Sequence, residues 1–332
     1  MLKRISHLSK RQRKITLVID DSSLDKFGHS IFGVSWYKRR KEEIPRKALQ
    51  VVYLGILYDD WFVPLDFRIY VSQEICKRIP MRFETKLVMA SKMIRKLRLP
   101  KEFKTELIFD SWYLNEQITK ITEKRGWKWY SRSRRNRKIK WRTTQKNEKK
   151  EIQLAHYSKE ISWQNLTYKT KRKRRAVVGH QRIGSLKKIG QIKLVCTSLE
   201  MRGEKQIAFF CTNNLQIPMI EVIKKYERRW KIEVYFRESR AHLALEHWFF
   251  RDIASVVHHL CLSIVAMIAC FCVLTERKKT NENLGTLGEF IRNVQKENQR
   301  SVFQFLIKQS YLENISLQNE NEFNALCDFL DL

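Results

Sequence analysis

No Cys-x-x-Cys pair occurs among the seven cysteines, at positions 76, 196, 211, 261, 270, 272 and 327, and no secretory signal precedes them. The usual thiol spacing of a zinc or dithiol site is therefore excluded, and reduced thiols in a cytoplasmic compartment are the expectation. No internal repeat is visible. Acid is scarce: 35 Asp and Glu stand against 66 Lys and Arg, a formal charge of +31. Such an imbalance makes a polyanion the default partner, because each neutralised phosphate releases condensed counterions. Nucleic acid leads and an anionic membrane surface follows. With 43% hydrophobic residues over 332 positions, the chain can bury the core of one large domain or two ordinary ones, so it is no disordered basic tail.

One apolar run is long. From Ile253 to Leu274, IASVVHHLCLSIVAMIACFCVL reaches the roughly 20 residues that a membrane span needs. His258 and His259 interrupt it, and the flanking Lys and Arg lack the asymmetry that would orient a span. The segment is predicted to be a buried core helix, with structural histidines and no metal.

Ile15–Ile19 reads as a buried strand that runs straight into Asp20-Asp21 within LVIDDSSLDKFG. Those carboxylates either hold a metal or cap a turn. Lys47–Tyr58 and Trp61–Val71 read as a hairpin around Asp59-Asp60, and residues 84–98 as a helix ending before Pro100. TELIFDSWY is a second buried strand delivering a carboxylate, Asp110, at its end; LNEQITKITEKRG is a helix closed by Gly126, and WKWYSRSRR a further strand. Between about Lys138 and Gln191, Lys, Arg, Trp and Tyr accumulate without helical periodicity. This stretch reads as an inserted basic β-rich module, or otherwise as a solvated loop. Paired strands IKLVCTSLE and KQIAFFCTN follow, and Pro218 suits the first turn of a helix.

That helix contains YERRWKIEVYFRESR, Tyr226 to Arg240. At about 100° per residue, Tyr226, Arg229, Glu233 and Arg240 fall within a wedge of roughly 60°. One carboxylate thus sits among phosphate-binding side chains, although an Arg229–Glu233 salt bridge on an ordinary amphipathic helix gives the same pattern. Two aspartates at strand ends and a glutamate on a later helix are the oxygen ligands that two hard divalent cations require. Such ions, roughly 3.5–4 Å apart, serve an in-line displacement at phosphorus.

VIDDSSLDKFG, IFDSWY and Y-x2-R-x3-E-x6-(K/R), in that order over about residues 15–275, resemble the three blocks of the DDE transposases of bacterial insertion sequences, in the family with the Y-R-E-K signature. The resemblance implies an RNase H-like α/β core with a mixed sheet and a β-rich insertion before the glutamate helix. It divides the chain into a basic lead-in (1–14), a discontinuous core (15–137 and 216–275), the insertion (138–215) and a C-terminal helical region (276–332). It implies Asp21, which precedes Ser22-Ser23, as first metal ligand with Asp20 its neighbour, and Asp110 and Glu233 as the others. Tyr226, Arg229 and Trp230 match DNA-gripping positions of the family; Arg240 replaces a Lys, exchanging a point donor for a planar fork. The implied cofactor is a pair of Mg²⁺ ions, with Mn²⁺ as a substitute. The implied partners are double-stranded transposon-end and target DNA and a second copy of the chain, in a bacterial cytoplasm at the nucleoid, with no membrane. Hydrolysis at the element's end precedes attack by the freed 3′-hydroxyl. A flipped base is held by an aromatic side chain in this family, for which Trp141 and Trp163 are candidates. A separate N-terminal DNA-reading domain is usual, whereas 20 residues precede Asp21 here. The expectation is therefore phosphate contact with little base reading. The competing readings are a DNA-binding relic with the same fold and a basic RNA-binding protein whose aromatics stack on bases.

Overall fold

The computed structural model describes residues 14–27, 31–38, 44–58, 61–79, 81–100, 102–142, 149–169, 174–201, 204–277 and 287–312. The chain forms two compact units, Met1–Phe236 with Phe249–Ile253, and Arg237–Trp248 with Ala254–Leu332. Asp59 and Asp60 and the lead-in up to residue 13 lie outside the described residues.

The first unit opens with strands β1 (Lys14–Asp25), β2 (Ser35–Tyr37), β3 (Arg46–Tyr58) and β4 (Trp61–Tyr70), then helices α1 (Gln73–Arg78) and α2 (Lys86–Lys96). Strand β5 (Lys104–Phe109), helix α3 (Glu116–Lys124) and strand β6 (Lys128–Ser133) follow. The sheet order β3-β1-β5-β6, with β4 on the outer edge of β3, pairs β3 antiparallel to β1 and runs β1, β5 and β6 parallel. This is the RNase H-like mixed sheet that the family resemblance implied. Leu17, Val18 and Ile19 are fully buried on both faces of β1, as a continuous apolar run dictates for a central strand. Thr85 caps α2 by accepting from the Val88 amide at 3.3 Å, and Asn115 caps α3 from Gln117 at 2.8 Å. Gly126 ends α3 at φ +70°, the left-handed position that favours glycine.

Gly55 faces Pro64 where the β3–β4 register shifts. A Cβ here would meet the Phe62 ring at 2.3 Å and the Val63 carbonyl oxygen at 2.5 Å. Phe62 is itself buried and has nowhere to swing. Gly55→Val is therefore expected to cost about 1–3 kcal/mol through overpacking, read from the urea midpoint, with an unchanged midpoint showing that the ring yields freely.

The chain continues through β7 (Lys138–Arg142), β8 (Lys149–Gln153), α4 (Leu154–Glu160), β9 (Gln164–Lys169), β10 (Arg174–Leu186), β11 (Gly190–Met201) and β12 (Glu204–Thr212). The basic stretch is strand-rich, and β12 pairs with β6 over Phe209↔Ser133 to Thr212↔Tyr130, so its strands extend the core sheet. Helix α5 (Met219–Glu227) follows, and then α6 (Trp230–His242).

The single helix expected from Tyr226 to Arg240 is interrupted. Arg229 N–H bonds the Tyr226 carbonyl at 2.9 Å and Ile232 N–H bonds the Arg229 carbonyl at 3.0 Å. These i→i−3 bonds tighten the chain into a 3₁₀-like turn between α5 and α6, which shifts the angular relation the 100° wheel assumed.

The second unit holds the end of α6, α7 (Ile253–Arg277) and α8 (Leu287–Leu312). Residues 237–248 and 254–275 group here. Gly288 lets α8 approach His242 closely, since an added Cβ would stand 2.6 Å from its Nε2. Helix α7 is long and apolar enough to cross a membrane by length and composition, yet only 22% of its apolar window is buried. The buried-core expectation thus fails: Val256, Leu260, Ser263 and Met267 form one buried stripe at helical spacing while Leu262 and Val265 are exposed. Composition apolar all round implies burial all round, but packing covers one face. His259 Nε2 contacts the Ala244 carbonyl at 3.0 Å, a structural role, and His258 is exposed.

Candidate active site

Parallel pairing of β1 and β5 sets Ile19 beside Phe109, so Asp110, just past the end of β5, stands beside Asp20, which lies midway along β1 and not at its end as the sequence suggested. Successive side chains on a strand point to opposite faces. Asp20 shares its face with Thr16, and that face lies under the α5–α6 turn: Arg228 Nη1 donates to Thr16 Oγ1 at 3.3 Å, and Arg229 pairs with Asp20. Asp21 points the other way. Lys86 of α2 reaches its Oδ2 at 2.5 Å and the Tyr113 hydroxyl donates to its Oδ1 at 3.0 Å.

Arg229 also pairs with Glu233, one turn into α6, so a single guanidinium bridges Asp20 and Glu233. Asp20, Arg229 and Glu233 are thereby drawn together, with Asp110 beside them; Asp21 is not drawn to Glu233. Tyr226 is buried against the Phe210 ring, 5.1 Å between centroids, whereas Trp230 is 56% exposed. Behind Tyr226, Lys225 Nζ donates to both oxygens of Glu106 on β5 at 2.6 and 2.5 Å and so anchors α5 to the sheet. Arg240 belongs to the second unit and pairs with Glu246. Trp141 packs edge-on against Tyr157 at 5.3 Å with the Arg182 guanidinium 4.9 Å over its ring; Trp163 is half-buried.

Charge is concentrated here. Burial pushes the Asp20 carboxyl up to about 7; Arg229 opposes the shift, and Asp110 and Asp21 add to it. Burial also raises Asp110, against the Trp112 and Tyr113 amides that donate to its Oδ1 at 2.8 and 3.3 Å. Burial works against the Arg229 charge, but Asp20, Tyr226 and Glu233 outweigh it and hold the group protonated above its ordinary range. Burial lifts Tyr226 to about 12. Among the described residues no three His, Cys, Asp or Glu side chains are gathered tightly enough to cage an ion, because Arg229 stands between Asp20 and Glu233. The donor set nevertheless fits a hard cation: carboxylate oxygens only, two of them desolvated at Asp20 and Asp110, with Arg229 already holding Asp20 to Glu233.

Residues 87–269, over half of the chain, match the family model of the transposase DDE domain. The chain belongs to that family. No curated protein matches it. The transposase fold thus carries Asp110 and Glu233 within the matched region and Asp20 on the strand beside it. Family membership implies DNA as partner and, in general, divalent metal ions. Reasoning from the sequence missed Lys86 and Tyr113 at Asp21. Tyr113 closes the IFDSWY block and Lys86 lies in no motif, and both reach Asp21 through the packing of α2 and of the segment after β5.

Proposed function

We propose that this transposase cleaves DNA at the ends of its insertion sequence and joins the freed 3′-hydroxyl to the opposite strand or to target DNA, with Asp20, Asp110 and Glu233 holding two Mg²⁺ ions, Mn²⁺ substituting. The observation that carries the reading is the Arg229 guanidinium bridging Asp20 and Glu233, with Asp110 at the neighbouring strand position and on the cavity that Arg229 lines. It replaces Asp21, the ligand implied by resemblance, with its neighbour. Bound there, the ions supply charge stabilisation to the attacking and leaving oxygens of the displacement. Arg229 counters the carboxylates when the protein is free and turns to a backbone phosphate when DNA arrives, beside Tyr226. Trp230, exposed at the start of α6, contacts the same DNA, and Arg240 exchanges Glu246 for a phosphate. Asp21, held by Lys86 and Tyr113, adds its charge to Asp20 and Asp110 from the other face of β1. Two copies act together on paired ends, and a cytoplasmic, nucleoid-associated location follows from the substrate.

Asp110→Asn tests the assignment. It is expected to abolish Mg²⁺-dependent cleavage of a duplex carrying the element's end while leaving DNA affinity unchanged or higher, because a negative charge leaves the neighbourhood of the phosphodiester and the cationic surface is untouched. Cleavage at the unaltered rate would remove Asp110 from the ligand set.

A further inference from the structure

The turn between β6 and β7 presents a second concentration of charge that the carboxylate site does not use. Arg132, Arg134 and Arg135 are exposed, and among the described residues none of them pairs with an acid. The cations closer to the carboxylates differ: Lys86, Lys225 and Arg229 are all matched by carboxylates. The three arginines border a cavity of about 560 Å³ that Asp110 and Arg229 also line. A neighbouring cavity of about 650 Å³ shares Arg132, Arg135 and Arg229 and opens beside Trp230.

Two residues of this lining each carry a buried side-chain atom with no hydrogen-bond partner among the described residues, Ser133 Oγ and Arg229 Nε, and Ser133 is only 6% exposed. An unsatisfied buried donor costs about 1–3 kcal/mol, so a hydroxyl and a guanidinium N–H on two residues of one cavity lining favour a ligand whose acceptor atoms can reach them. The turn is also held in advance. Arg137 N–H bonds the Arg134 carbonyl at 3.2 Å, Ala155 and Leu154 amides bond the Arg135 and Arg137 carbonyls at 3.0 and 2.8 Å, and the Arg137 side chain donates to the Leu114 carbonyl. A pinned backbone spares a ligand the ordering cost that a flexible basic loop would impose.

We propose that this cavity is a DNA-backbone subsite in which Arg132, Arg135 and Ser133 hold a phosphodiester next to the one presented to the carboxylates. An oxygen-rich anion satisfies both open donors and neutralises the unpaired arginines, and planar guanidinium forks match phosphate oxygens. The proposal rests on the reading that the transposase acts on DNA. It adds to that reading a grip on the β6–β7 side that belongs to none of the signature positions.

The test is a set of binding titrations without divalent cation, at several salt concentrations, on two duplexes: one carrying the element's end and one of unrelated target sequence. For the full chain with Arg132→Gln and Arg135→Gln together, the log–log salt slope is expected to become shallower by about 0.9 for each phosphate that the variant no longer neutralises, with affinity falling uniformly across sequences within an arm. Ser133→Ala, which removes an open hydroxyl and no charge, is expected to weaken binding about two- to tenfold with the slope unchanged and thermal stability intact. Weakening on the end duplex alone assigns the phosphodiester to the element, weakening on the other alone assigns it to the target, and weakening on both assigns a grip common to the two. Unchanged slope and affinity on both duplexes overturn the proposal. Because the readout is binding, failure of the unaltered chain to cleave would overturn the reaction and leave this result standing.

Discussion

Asp20→Asn is expected to lower metal-dependent strand cleavage by about a thousandfold or more, whereas Asp21→Asn lowers it far less. The two residues are adjacent, so any difference between them reports the face of β1 on which the chemistry takes place. Asp20 meets Arg229, which also holds Glu233; Asp21 meets Lys86 and Tyr113. Charge stabilisation by a bound metal amounts to several kcal/mol, and each 1.36 kcal/mol or so is tenfold in rate, which gives the magnitude expected on removing a ligand. Removing Asp21 unpairs Lys86 and one hydroxyl behind the site, a disturbance of position. The measurement is single-turnover cleavage against Mg²⁺ concentration for both variants, with thermal melts to confirm folding. The reverse ranking, Asp21→Asn inactive and Asp20→Asn active, would restore the assignment implied by resemblance and show that the Arg229 bridge is incidental.

This pair also shows where sequence reading stops. The delivery of a carboxylate at the end of a buried strand was legible in LIFD, whereas the strand in LVIDD does not stop at its first polar residue: β1 runs on to Asp25 in register with β3, so Asp20 and Asp21 lie midway along it. Which of two consecutive aspartates faces the glutamate depends on pleat and on what packs over each face, and only the tertiary contacts of Thr16, Asp20 and Asp21 reveal it. Arg229 and Glu233 were legible as neighbours one turn apart, and they pair. The extension of that face to Arg240 assumed an unbroken helix, and the turn at Arg228-Arg229 removes the assumption. Hydropathy made α7 a core helix because it counts side chains without asking how many neighbours are available to cover them. The arginines of SRSRR were read as part of a strand. Their isolation from acids is a three-dimensional fact, decided by which elements border the β6–β7 turn.

Glu106→Ala is expected to destabilise the first unit by about 3–5 kcal/mol, the cost of breaking a buried ion pair and leaving one charge behind. Glu106 is 7% exposed and accepts from Lys225, with the Tyr130 hydroxyl at 3.3 Å and Lys14 Nζ at 3.3 Å completing its surroundings. Burial already lowers the Lys225 pKa, and Glu106 is what raises it back. Without that carboxylate the ammonium must shed its proton or draw in water. At about 2–4 °C per kcal/mol for a unit of this size, the melting temperature should fall by roughly 6–20 °C. Replacing both partners, Glu106→Leu with Lys225→Met, should restore most of it, because well-packed apolar groups of similar volume are often neutral or stabilising where a buried pair stood. Cleavage adds a second readout. Lys225 directly precedes Tyr226 and ties α5 to the strand that ends in Asp110, so the single variant should lose activity even below its melting point, and the double variant should regain it. A single variant that melts within about 1 °C of the unaltered chain would mean the pair is worth no more than an exposed one, and that α5 is held on the sheet by its apolar face, Met219, Val222 and Ile223, packed against β6 and β12.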